Sequence, residues 1–216
     1  MQKKMMIQLC VVALAVGLVG PVQAGTTINF DDDEAPDSFG ETNSLTEAYA
    51  GLGVHFAGPG DLDGGAILDQ SGNFGVWALS ARNFLAFNRN SRMSDGGVPQ
   101  DPETILFDSL MSEVSIYAAG GWEVDTFIMD AYDASGTLVD TDTITTADWG
   151  LLSVSSAAGI RRVVLTQVSD VDNAFVYDDL SFTVLSGGPA VPAPGAILLG
   201  TLGTGLVGWL RRRRAL

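Results

Sequence analysis

Between residues 25 and 186 the chain is a succession of short apolar runs cut apart by clusters of Gly, Asp, Asn and Ser. That punctuation limits what it can fold into, because helical periodicity is nearly absent and several runs alternate with period two. In Asp125–Asp133, Phe127, Met129 and Ala131 fall on one side and Ile128, Asp130 and Tyr132 on the other, the pattern of a half-buried strand. Ala134-Ser135-Gly136 then leads into Thr137–Ile144, a hairpin signal. The other candidate strands are Thr26–Phe30, Gly53–Phe56, Ala66–Leu68, Gly75–Leu79, Phe84–Asn88, Thr104–Phe107, Glu113–Tyr117, Leu151–Val154, Arg162–Val168 and Phe175–Val184. Ser44–Ala50 has room for a single helical turn. Many short strands at this spacing predict an all-β, antiparallel β-sandwich, with a jelly-roll variant expected. Asp31–Asn43 and Ser91–Pro102 read as loops, and long loops on a β scaffold are where function concentrates.

The two ends are of a different kind. Lys3 and Lys4 precede an apolar core, Ile7–Val19, and a small-residue cleavage site, Val22-Gln23-Ala24. Residues 1–24 are therefore expected to be a signal peptide, with Gly25 the first mature residue. Cys10 leaves with it, and the exported part has no cysteine. That excludes disulfides, thiolate catalysis and zinc–thiolate sites. At the other end, a Gly/Pro/Ala linker over 187–194 leads into an uncharged run, Gly195–Leu210, followed by Arg211, Arg212, Arg213 and Arg214. Residues 195–216 are expected to form a transmembrane helix, with its arginines held on the cytoplasmic side and the domain facing out.

The linker ends in Val191, Pro192, Ala193 and Pro194. A Pro-x-Pro motif, a short apolar helix and a terminal arginine cluster together resemble the PEP-CTERM sorting signal of Gram-negative bacteria. The resemblance implies export, temporary retention in the inner membrane, cleavage near the motif by an exosortase-type membrane protease, and delivery to the cell surface or an exopolysaccharide matrix, as in a biofilm. The family's usual middle residue is Glu, where this chain has Ala193. An uncleaved single-span anchor is the alternative reading of the same tail.

The domain between these ends carries all 26 acidic residues and only five basic ones, Arg82, Arg89, Arg92, Arg161 and Arg162, a net charge of −21. Nothing there would neutralise phosphates, so nucleic-acid binding is excluded. Ile28–Ala35, Phe127–Thr143 and Phe175–Val184 resemble galactose-binding-like and carbohydrate-binding-module sandwiches. Such a resemblance implies pairing of the first and last strands and a structural Ca²⁺ between them, here on Asp31, Asp32, Asp178 and Asp179. The same acids can instead cap turns by accepting loop N–H groups, and both readings stand at this point.

Catalysis has thin support. His55, the only histidine, lies in a strand-like run and reads as an edge or buried residue bonded to backbone, and no nucleophile elbow is present. The chain is accordingly expected not to be an enzyme. Among the aromatics Trp122, after Gly120-Gly121, is the best placed to meet a sugar from a loop. The expected function is a non-enzymatic exported surface or matrix protein. The alternative is a carbohydrate-binding module for exopolysaccharide, with calcium possible as a cofactor.

Overall fold

The computed structural model describes residues 25–32, 35, 43–45, 47–58, 65–69, 74–86, 102–168 and 175–186. The expected signal peptide, the expected sorting motif, the apolar run, the arginine cluster and most of the two expected long loops lie outside them. Among the described residues no helix is long and apolar enough to cross a membrane.

Ten strands form one antiparallel sheet: β1 (Thr26–Ile28), β2 (Asn43–Ser44), β3 (Val54–Ala57), β4 (Ala66–Asp69), β5 (Asn83–Ala86), β6 (Glu103–Ala119), β7 (Asp125–Tyr132), β8 (Leu138–Thr146), β9 (Gly150–Val168) and β10 (Val176–Val184). The main path runs β2-β4-β5-β10-β6-β9-β7-β8, with β1 on β10 and β3 on β6. Two of these strands are far longer than their sequence signals. Thr104–Phe107 and Glu113–Tyr117 belong to one 17-residue strand, β6, and Leu151–Val154 and Arg162–Val168 to one 19-residue strand, β9. The polar residues between the apolar runs mark bends, with register shifts on either side of Met111, and do not mark turns.

Those bends turn the sheet into a sandwich. The first part of β6 pairs with β3, and its later part with β10. The end of β9 pairs with β7, and its beginning only with β6. The sheet thus folds over along β6 and β9, the way strands change layers at a sandwich corner. Ring contacts cross the resulting core. Phe127 of β7 meets Tyr177 of β10 edge-on at 5.8 Å, and Phe107 of β6 meets Phe182 of β10 at 5.5 Å. Inward residues of both layers, among them Val54, Ile105, Met129, Val114, Leu152 and Leu180, share one apolar cluster. The terminal strands are neighbours, with Thr27 opposite Ser181.

The predicted β7–β8 hairpin forms as its turn residues dictate. Asp133 Oδ1 accepts the Ser135 and Thr137 amides at 2.8 and 2.9 Å, an Asx-type closure. Its carboxyl is held below the usual range by the Ser135 hydroxyl and then the Thr137 amide. The helical turn expected over 44–50 falls later, as a 3₁₀ turn at Ala50–Leu52. Gly75–Leu79 is not a strand but a run of bends, and its role is in the site below.

β8 and the start of β9 each leave one edge open, and two carboxylates bridge these edges. Asp140 accepts the Thr141 amide of its own strand on Oδ1 at 3.0 Å and the Ser155 amide on Oδ2 at 2.7 Å. Asp142 repeats the pattern with Thr143 at 2.8 Å and Ser153 at 2.8 Å. Four edge N–H groups that would otherwise invite another strand are occupied by side chains.

Candidate functional site

At one end of the sandwich three connections meet: 74–82 between β4 and β5, 120–124 between β6 and β7, and 147–149 between β8 and β9. Two glycines hold the first pair backbone to backbone. Gly75 has φ 79° and Gly121 φ 68°. A Cβ on Gly121 would stand 1.7 Å from the Phe74 carbonyl oxygen, and one on Gly75 would stand 2.6 Å from the Trp122 nitrogen. Left-handed backbone and the absence of a side chain are both required there, which only glycine supplies. The third connection is attached by the Gly121 amide, which donates to the Ala147 carbonyl at 2.7 Å.

Three tryptophans are gathered by this arrangement. Trp149 Nε1 donates to the Trp77 carbonyl at 2.8 Å. Trp77 and Trp149, with Val76, Leu79, Asp148 and glycine backbone, line a cleft of about 510 Å³. Trp77 is 73 % exposed and Trp122, whose amide abuts Gly75, is 72 % exposed. The floor is apolar: Val76, Ala78 and Trp149 pack on a cluster that includes Leu68, Phe74, Phe84 and Val176. Phe74 and Phe84 meet edge-on at 5.1 Å. Large apolar side chains left in water beside a cleft mark an interaction surface. Indoles combine stacking area with a single N–H donor. Trp122 was legible as a loop aromatic. Trp77 is one of several aromatics able to stack on a sugar, but it falls in what reads as a strand, Gly75–Leu79, and the signal that places it on a loop is Gly75 two residues earlier.

Below the cleft, two acids tie down the segment that carries Trp77. Asp178, fully buried, accepts the Leu79 and Ser80 amides on Oδ2 at 2.9 and 3.1 Å and the Ser80 hydroxyl and Asp179 amide on Oδ1 at 3.2 and 2.8 Å. Asp31 accepts the Arg82 and Asn83 amides on Oδ1, both at 2.9 Å, and the Ser80 hydroxyl on Oδ2 at 3.2 Å. Asn83 donates to the Phe30 carbonyl at 2.7 Å. Phe30 and Asp179, next in sequence to these acids, adopt φ 60° and 50°, a backbone strain that the surrounding hydrogen bonds must offset.

Of the four acids expected to hold Ca²⁺, Asp31 and Asp178 are therefore brought together through Ser80. Asp32 is drawn away, receiving the Tyr49 hydroxyl at 2.6 Å. Asp31 Oδ1 and both Asp178 oxygens face backbone N–H donors, and the single Ser80 hydroxyl proton is shared among Asp31 Oδ2, Asp178 Oδ1 and the Asn29 carbonyl. Asp31 and Asp178 thus accept loop N–H groups, as turn-capping acids do. Among the described residues no group of three or more His, Cys, Asp or Glu is arranged to hold a metal.

Burial pushes the Asp178 carboxyl up to about 6, against the amides that lower it and with Asp179 adding repulsion. The folded state then holds this proton more tightly than the unfolded chain, whose value is 3.8. The resulting stabilisation is complete below pH 3.8 and is lost as pH rises through about 6. A ¹³C titration should place the Asp178 midpoint near 6, and Asp178→Asn should flatten the fall in melting temperature across that interval. A midpoint near 4, the ordinary carboxylate range, would refute the assignment.

His55 departs from its expected setting. It does not bond to backbone; its Nδ1 lies 2.5 Å from Glu47 and its Nε2 3.3 Å from Asp108. The Glu47 hydrogen bond, then the charges of Glu47 and Asp108, raise its pKa above 6.5.

No protein-family model matches the sequence, and no curated protein matches it. Similar solved structures include the K2 cleaved adhesin domain of Lys-gingipain, at 16 % identity and TM-score 0.45, covering 74 % of this chain and 100 % of that one. The C-terminal family 22 carbohydrate-binding module of Clostridium thermocellum Xyn10B has 16 % identity and TM-score 0.38, covering 72 % and 100 %. A CBM61 domain bound to β-1,4-galactotriose has 10 % identity and TM-score 0.38, covering 66 % and 98 %. Overlap at this level does not transfer a ligand from one chain to another.

Proposed function

We propose that this chain is an exported, non-enzymatic surface or matrix protein whose sandwich binds carbohydrate through the tryptophan cleft. The observation that carries this reading is the exposure of Trp77 and Trp122 beside a preformed cleft, on loops fixed by Gly75 and Gly121. Sugar rings present apolar C–H faces that stack on indoles, and their hydroxyls suit the Asp148 carboxylate. A domain charge of −21 repels anionic polymers and favours neutral glycans, including neutral exopolysaccharide. On this reading the sandwich is of the jelly-roll, galactose-binding-like type. The PEP-CTERM-like tail, Val191–Pro194 with Arg211–Arg214, supplies delivery by way of an exosortase at the inner membrane.

Both halves of the proposal are testable on the chain recovered from its own cells. Trp77→Ala and Trp122→Ala should each weaken binding to neutral polysaccharide by about 10- to 30-fold, the loss expected of a central aromatic contact. Melting of Trp77→Ala should be unaffected, since this side chain is 73 % exposed. Intact mass should end near Pro194. Unchanged affinity in both variants sinks the cleft as the sugar site, and a surface species ending at Leu216 sinks the processing.

A further inference from the structure

Asp125 is the first residue of β7 and points inward, 1 % exposed. Among the described residues neither of its carboxylate oxygens has a hydrogen-bond partner. A buried carboxylate with no donor is costly, and such a group calls for an unrecorded ion or water. Among the described residues no side-chain cation pairs with it. The exported domain has no lysine, and the described basic groups are engaged elsewhere: Arg82 with Asp69, Arg161 with the Asp108 carbonyl, Arg162 over the Tyr132 ring, and His55 as above.

Two backbone carbonyl oxygens lie with Asp125 Oδ2 beside Gly120. A Cβ placed on Gly120 would stand 2.5 Å from the Glu123 carbonyl oxygen, 3.0 Å from Asp125 Oδ2 and 3.0 Å from the Thr146 carbonyl oxygen. Three oxygens from three points of the chain thus border one small volume beside Gly120. Two are neutral carbonyls and one is a carboxylate. Hard cations are held by this donor chemistry, and calcium in particular takes carboxylates and backbone carbonyls together and completes its shell with water. The contrast with Asp31 and Asp178 is direct, since those acids accept backbone amides while neither Asp125 oxygen has a hydrogen-bond donor.

We infer that Asp125 Oδ2, the Glu123 carbonyl and the Thr146 carbonyl form a calcium-class cation site. It joins the connection bearing Trp122 to the end of β8, one residue before the connection bearing Trp149, so an ion there braces two sides of the cleft from behind. The site stands on its own oxygens and does not depend on what the cleft binds.

Terbium is the probe, because Trp122 and Trp149 lie within three residues of the proposed ligands and can sensitise its emission. With indole excitation the full chain should show saturable terbium emission that calcium displaces. Asp125→Asn, which keeps the shape and removes the charge, should weaken the response at least tenfold, while Asp178→Asn keeps it. A measurement on the unaltered chain guards against a variant that fails to fold: calcium should slow amide hydrogen exchange at residues 120–125 and 146–148. An unchanged titration in folded Asp125→Asn overturns the site. So does slowing confined to 29–32 and 178–179, or the absence of both signals.

Discussion

Gly121→Ala is expected to cost the domain about 2–4 kcal/mol and to open the tryptophan cleft. Two effects add at this position. At φ 68° an alanine is strained whatever space surrounds it, by about 1 kcal/mol. The larger part is collision, because the new methyl would stand 1.7 Å from the Phe74 carbonyl oxygen. Neither backbone can yield cheaply, since one is bonded to Ala147 and the other sits on the Phe74–Phe84 pair. The two connections must separate, and Trp77 and Trp122 move apart with them. Gly136→Ala is the internal standard. Gly136 has φ 83°, but a Cβ there meets nothing within 4 Å, so only the strain remains. Urea denaturation of both variants measures the difference. Equal losses would show that Gly75 and Gly121 do not hold the loops in contact.

The contrast between these two glycines shows what sequence can and cannot carry. In the β7–β8 hairpin every determinant is local: Asp133, Ser135, Gly136 and Thr137 act on each other within five residues. The turn was readable for that reason. Gly121 is determined by Phe74, and Trp77 owes its exposure to a segment bonded to Asp178, nearly a hundred residues later. Composition also misled at β6 and β9. Period-two runs interrupted by Ser, Asp and Gly look like separate strands, whereas a sandwich corner also needs polar residues where a strand leaves one layer for the other. The pairing of the first and last strands was anticipated, and it brings Asp31 near Asp178. What those acids do depends on donors from 79–83, which no spacing between the acids encodes. Nothing in the sequence singles out Asp125, because its importance lies in the Glu123 and Thr146 carbonyl oxygens beside it, and every residue has a carbonyl.

Removing both bridging acids, in Asp140→Ala/Asp142→Ala, should cost about 2–4 kcal/mol, from four backbone N–H groups at roughly 0.5–1.5 kcal/mol each, reduced where water replaces the lost acceptor. Thr141, Thr143 and Ser155 amides lie at exposed contacts and recover part of their bonding from solvent, while the Ser153 bond is part-buried. Asp142→Ala should therefore lose more than Asp140→Ala. Each carboxylate uses one oxygen for its own strand and the other for the opposite edge, so an amide in its place keeps one acceptor and turns an NH₂ toward the second N–H. Asn variants should consequently fall near the Ala variants and not near the parent, which separates hydrogen-bond acceptance from mere side-chain size. The second consequence is association. With the carboxylates gone, β8 and the start of β9 present unpaired amides along two neighbouring edges, the arrangement that templates strand addition between chains. Size-exclusion chromatography at increasing concentration should show the double variant self-associating while the parent, whose −21 domain charge also opposes contact, does not. A double variant that keeps both its urea midpoint and its elution volume would mean that the edges are closed by something other than these two side chains.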